Sequence, residues 1–199
     1  RDALEIAAQH AMAGIEQTRR WQNPNHQIYA QVVAGRIYRA EGDRDAAEAA
    51  LAQAEAVGTP RAVVPFLPAM VDRLRVSLWL DRGDLAAARS WAAAQDVALE
   101  RPMGTAELLR ALTVAEVRAA DGDPVGALAL LNPLVAETEA QGRGDLTIQA
   151  RIQQALALRT QGRRDDAGDA VRAAIALGAP EGYVRPFLDA GSALAGLLA

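Results

Sequence analysis

The stretch RAEGDRDAAEAAL, Arg39 to Leu51, sets a glycine and an aspartate between two runs of helix-forming residues. It reads as a helical hairpin. A residue without a Cβ takes the left-handed conformation that closes the first helix, and the aspartate accepts from free N–H groups at the start of the second. The arrangement recurs as LDRGDLAAARSW around Gly83, AADGDPVGALALL around Gly122 and RTQGRRDDAGDAV around Gly162, where Arg163 follows the glycine and Asp165 is the later acid. The glycines of the four stretches lie 41, 39 and 40 residues apart. A period of this size without strand-like alternation means stacked pairs of helices. Five residues beyond each glycine stands an alanine, at Ala47, Ala88, Ala127 and Ala167. A small side chain there lets the two helices of a hairpin come close, which sets their crossing distance.

The expected organisation is the end of a preceding truncated repeat over residues 1–25, four helical hairpins over 26–180, and a capping segment with the start of a last helix over 181–199. LAQAEAVGTP (Leu51 to Pro60) and VRAAIALGAP (Val171 to Pro180) each end a second helix with Gly and then Pro. The second repeat is expected to run through Val97 into LERPMG. Asn132-Pro133 in the third should kink or break its helix, because the ring removes a backbone bond and crowds the preceding turn. After Pro180 the sequence predicts an irregular stretch and then a helix capped by Ser192, with Tyr183 and Phe187 folded back over the fourth repeat and Arg185 and Asp189 facing polar groups. Trp79 and Trp91 are expected in packing between helices, since an indole has a large area to bury.

Composition narrows the function. The 199 residues are 51% hydrophobic and 23% charged, enough for one sizeable domain or a short repeat array. The net charge of -4 is spread along the chain and offers no basic field for nucleic acid. With no cysteine, disulfides and thiolate metal sites are excluded, and no apolar run has the length of a membrane span. A cytoplasmic location is expected. The chain also has no lysine, which a P-loop needs to reach its phosphates, so ATP binding by these residues is excluded. His10 and His26 lie far apart without a second ligand at metal spacing. Ser77, Ser90 and Ser192 have no nucleophile-elbow context, and Asp165-Asp166 sits where acids favour the positive end of a helix dipole. GRGD, Gly142 to Asp145, lacks the rest of a dinucleotide fingerprint and reads as a loop between repeats. No enzyme, metal or cofactor is expected.

The Gly-Asp closure with the alanine five residues on resembles the tetratricopeptide pattern, which implies an all-α fold of hairpin repeats in a right-handed superhelix. A more specific resemblance lies in LWLDRGDLAAARSWA (Leu78 to Ala92), LTVAEVRAADGDPVGALALLNPLVAETEAQGR (Leu112 to Arg143) and the final block, with GYVRPFLDAG (Gly182 to Gly191) as its most diagnostic piece. In this order the blocks look like the region before the C-terminal helix-turn-helix of the large ATP-binding LuxR-type bacterial regulators of the MalT class. The resemblance implies a sensor module that responds to a small-molecule effector or a protein partner. It would pass the signal to nucleotide-binding and DNA-binding domains of the same polypeptide, without touching nucleic acid itself. The alternative is a free-standing scaffold for a protein or peptide. A homo-oligomer through SALAGLLA (Ser192 to Ala199) is a further expectation.

On the tetratricopeptide register the first helix of each repeat lines the concave face. That projects Tyr29, Arg36 and Arg39, then Arg73 and Ser77, then Glu116, then Gln149 and Arg159 into a groove. Several arginines with one tyrosine would suit an anionic ligand or an acidic peptide, because guanidinium forks bind oxyanions in pairs.

Overall fold

The computed structural model describes residues 2–21, 23–58, 63–97, 99, 102–191, 194 and 196. Among them the chain forms ten helices and no strand: α1 (Asp2–Trp21), α2 (Pro24–Glu41), α3 (Arg44–Ala56), α4 (Phe66–Asp81), α5 (Leu85–Ala93), α6 (Thr105–Ala120), α7 (Pro124–Ala140), α8 (Gly144–Thr160), α9 (Arg164–Gly178) and α10 (Arg185–Asp189). The fold is all-α, built from helical hairpins. It divides into two compact units, Arg1–Asp84 and Leu85–Ala199.

Each repeating glycine does what its place in the sequence demands. Gly42, Gly83, Gly122 and Gly162 have φ between 74° and 82°, where a Cβ is strained. The N–H of Gly42 reaches the Arg39 carbonyl and that of Asp43 the Tyr38 carbonyl, at 3.1 and 2.9 Å. This double closure satisfies carbonyls that the helix end would leave open. It repeats at the other three glycines. Asp43 and Asp123 then cap α3 and α7, accepting from the N–H groups of Ala46 and Gly126 at 3.0 and 2.7 Å. Arg163 gives α9 no side-chain cap, and the first turn of α9 carries Asp165 and Asp166 instead.

Where the helices cross, side chains are minimal. Ala47, Ala88, Ala127 and Ala167 are all fully buried. Seven residues before each loop glycine stand Gly35, Val76, Ala115 and Ala155, also buried. Gly35 leaves no room for a side chain. A Cβ built there would lie 2.6 Å from the Leu74 Cδ2 and 3.5 Å from both the Ala47 carbonyl and the Ala50 Cβ. In the first unit the core extends from this crossing. Ile28, Val32, Ala54, Leu67 and Val71 form one cluster, and Ala47, Leu74 and Leu78 another.

Two expectations give way to longer-range packing. Helix α7 passes unbroken through Pro133. Leu130, Leu131, Leu134 and Val135 around it are buried, and Gln154 of α8 bonds the Asn132 side chain at 2.9 Å, so packing offsets the missing backbone bond. Helix α5 ends at Ala93 rather than running through Val97. Beyond it, the approach to α6 is held from a distance. Met103 donates its N–H to the buried carboxylate of Glu137 at 3.1 Å, while Gln141 bonds both the Met103 carbonyl and that carboxylate, at 2.8 and 2.6 Å. Trp79 and Trp91 are each half-buried.

The region after α9 contains the five-residue helix α10. The ring of Phe187 lies 3.1 Å from where a Gly178 Cβ would stand, so it folds back on α9, whereas Tyr183 touches that site only with its Cβ and carbonyl and is exposed. Arg185 and Asp189 pair with each other along α10. Ser192 and most of SALAGLLA lie outside the described residues.

Two predictions follow from this packing. Gly35→Ala should destabilise the protein in urea by about 1–3 kcal/mol through overpacking, whereas Gly14→Ala, with open space around it, should stabilise by up to about 1 kcal/mol. Equal responses would remove the close crossing as the reason for glycine. Glu137→Ala should cost about 1–3 kcal/mol by leaving the Met103 N–H buried without its acceptor. Glu139→Ala, which loses an exposed pair with Arg151, should cost less than about 1 kcal/mol.

Candidate functional site

Helix α3 presents Ala46, Ala49 and Ala50 on one stripe, followed a turn later by Gln53. Methyl groups fill little space, and opposite them α1 brings Met12, Ile15 and Glu16, while α2 runs between with Gln31 and Tyr38. The result is a cleft of about 330 Å³ within the first unit, lined by these nine residues. Its size is at the low end for small-molecule sites.

Its walls are apolar and its polar groups are placed with some economy. Gln31 is buried, and its Nε2 donates to the Oε1 of Gln53 at 2.7 Å. Two amides joined by one hydrogen bond keep an acceptor on the donating residue and a donor on the accepting one, whichever way both are turned. The Tyr38 hydroxyl donates to the Met12 sulfur at 3.1 Å. Among the described residues Glu16 is the only charged one in the lining, and no arginine contributes.

The eight residues expected in an arginine-rich groove lie elsewhere. Five belong to the first unit and three to the second. On α2, Tyr29 and Arg36 are exposed, and Arg39 is held by both carboxylate oxygens of Asp81, at 2.5 and 2.9 Å. On α4, Arg73 is half-buried and Ser77 buried. Beside them the Arg75 guanidinium bonds Asp72 and Glu55. Burial opposes its charge, but the two carboxylates together raise its pKa further above the ordinary arginine value. In the second unit Glu116 accepts from Gln153 of α8 at 3.3 Å, and Gln149 lies one turn earlier on the same helix, bonded to the Asp145 carbonyl at 3.2 Å. Arg159, at the end of α8, reaches to within 3.8 Å of where a Gly196 Cβ would stand. The cleft residues went unnoticed in the sequence. Their one local signal is Gln31, a polar residue between Ile28, Val32 and Gly35 on a buried stripe.

Among the described residues no group of three or more His, Cys, Asp or Glu side chains could hold a metal ion. His10 and His26 are both exposed. No helix there is long and apolar enough to cross a membrane.

The repeat spacing, the buried small residues at each crossing and the all-helical order together describe one class of array. The family of the MalT-like TPR region matches residues 1–199. The chain belongs to that family. No curated protein matches it. As a MalT-like TPR region the chain has a helical-repeat architecture, and the two units are parts of one matched region.

The amide pair of the cleft can be tested for a purely structural role. Gln31→Leu should change stability by less than about 1 kcal/mol, because Gln53 is exposed and turns to water once its partner is gone. A larger loss in urea would make the pair part of the packing.

Proposed function

We propose that this chain is the effector-sensing or protein-interaction domain of a MalT-type, LuxR-class transcriptional regulator in the cytoplasm. It is non-catalytic, needs no cofactor of its own, and passes its signal to nucleotide-binding and DNA-binding domains outside these residues. The observation that carries this reading is the family match over residues 1–199. The cleft between α1, α2 and α3 supplies a concave site of a size for part of a small molecule or one side chain of a partner. A ligand seated there touches three helices at once. It favours the helix spacing that fits it best, and its effect on the rest of the polypeptide equals its difference in affinity between two arrangements. The exposed Tyr29 and Arg36 of α2, with Arg73 of α4 joined to them by the repeat register alone, are the second candidate, for an anionic partner.

Thermal unfolding of the chain against small metabolites, oligosaccharides and acidic peptides tests both. A ligand at about a hundred times its dissociation constant adds roughly 2.7 kcal/mol to stability, so one compound class should raise the unfolding temperature with concentration. Ala49→Trp places an indole in the cleft from an exposed position and should abolish that rise without lowering the unliganded unfolding temperature. A rise that survives Ala49→Trp but disappears in the Arg36→Ala, Arg73→Ala double variant moves the site to the arginines. No rise with any class removes the small-molecule form of the proposal.

A further inference from the structure

The cleft between α1, α2 and α3 carries a hydrogen-bonding pattern that selects among ligands. Gln31 is 8% exposed, and its Nε2 donates to the Gln53 Oε1 at 2.7 Å. Among the described residues neither amide makes a further side-chain hydrogen bond. The pair therefore keeps the Gln31 Oε1 as an acceptor and the Gln53 Nε2 as a donor. Tyr38 gives its hydroxyl hydrogen to the Met12 sulfur, which leaves the phenolic oxygen as a second acceptor. All four residues line the cleft.

The rest of the lining decides charge and shape. Ile15, Ala46, Ala49 and Ala50 are apolar and suit a short aliphatic chain, each buried methylene of which adds to binding. A carboxylate would find no arginine here and would meet the like charge of Glu16. Glu16 is itself engaged, so its charge is already in use when an ammonium group arrives. The head group is therefore neutral, and it must bring two donors and one acceptor. An ester has no donor and an alcohol has one. A primary carboxamide has the full set.

We infer that the cleft is a subsite for a neutral primary carboxamide on a short aliphatic chain. One N–H of the ligand is given to the Gln31 Oε1 and the other to the Tyr38 hydroxyl oxygen, while its carbonyl accepts from the Gln53 Nε2. Turning both glutamine amides exchanges the roles of Gln31 and Gln53 and leaves the same complement. The inference rests on the proposed reading of the cleft as the effector site and names the ligand class of that site.

The probes are hexanamide, hexanoate, hexylamine and hexan-1-ol, titrated into the full chain labelled with 15N. The side-chain amide resonances of Gln31 and Gln53 are assigned by their loss in Gln31→Leu and Gln53→Leu. Hexanamide should shift both resonances saturably, and the other three probes should bind at least roughly tenfold more weakly, because each leaves polar groups of the cleft unpaired. Gln31→Leu should weaken hexanamide at least roughly tenfold, followed through the remaining Gln53 resonance, and Ala49→Trp should abolish binding. Gln17→Leu, exposed on α1 outside the lining, should leave it unchanged. A capped Ala-Gln-Ala peptide identifies the source of the group. Tighter binding than hexanamide, lost when the peptide's Gln is replaced by Glu, assigns the carboxamide to a partner's side chain, and weaker binding assigns it to a free molecule. Equal affinity for all four hexyl probes overturns the carboxamide inference and leaves the cleft as an effector site. Hexanamide binding that survives Ala49→Trp overturns both the inference and the cleft reading. Undetectable binding of hexanamide overturns the inference alone, since the thermal screen with Ala49→Trp tests the cleft separately.

Discussion

The packing of both units starts from the small side chain required where the two helices of a hairpin cross. Gly35 on α2 faces Ala47 and Ala50 on α3, with the Leu74 side chain already in the space that a Gly35 Cβ would need. Leu74 fills the space left by the missing side chain and packs with Ala47 and Leu78, and Ile28 belongs to a neighbouring cluster. The same small-residue register is buried again at Ala115 and Ala127, and at Ala155 and Ala167. Packing at this density tolerates little change in volume.

The alanine content that allows close crossings also explains the cleft. Helix α3 has few large side chains to give, so the stripe facing α1 is methyl groups, and space remains between them and Met12 and Ile15. A polar pair, Gln31 with Gln53, edges that space. The charged residues mostly serve each other instead. Arg39 with Asp81 and Arg82 with Glu48 tie neighbouring helices of the first unit, and Arg89 with Asp121 those of the second. Pairs this exposed add little stability and chiefly favour one register of stacking.

Much of the helix order was legible because its signals are local. A glycine at φ near 80° has a backbone reason to be glycine, and Asp43 and Asp123 cap helices that begin one residue later. Local rules failed where distant packing outweighed them. Pro133 was expected to kink or break α7, yet the helix continues through it between buried leucines on both sides. The loop before α6 has no regular pattern, and Glu137, thirty-four residues on, holds it. Whether Arg39 of the projected groove meets a ligand or Asp81 likewise depends on a residue one repeat away.

The sequence by itself determined the all-α class, the forty-residue rhythm, the turn positions and the likeness to the MalT-like TPR region, because backbone conformation and helix crossing are specified by single residues at fixed spacing. Only the tertiary structure decided which polar side chains edge a cleft and which arginines are engaged by carboxylates. The physical reason is range. A cap or a crossing is settled within a dozen residues, whereas a cavity or an ion pair between helices is the sum of what several helices, tens of residues apart, bring to one place.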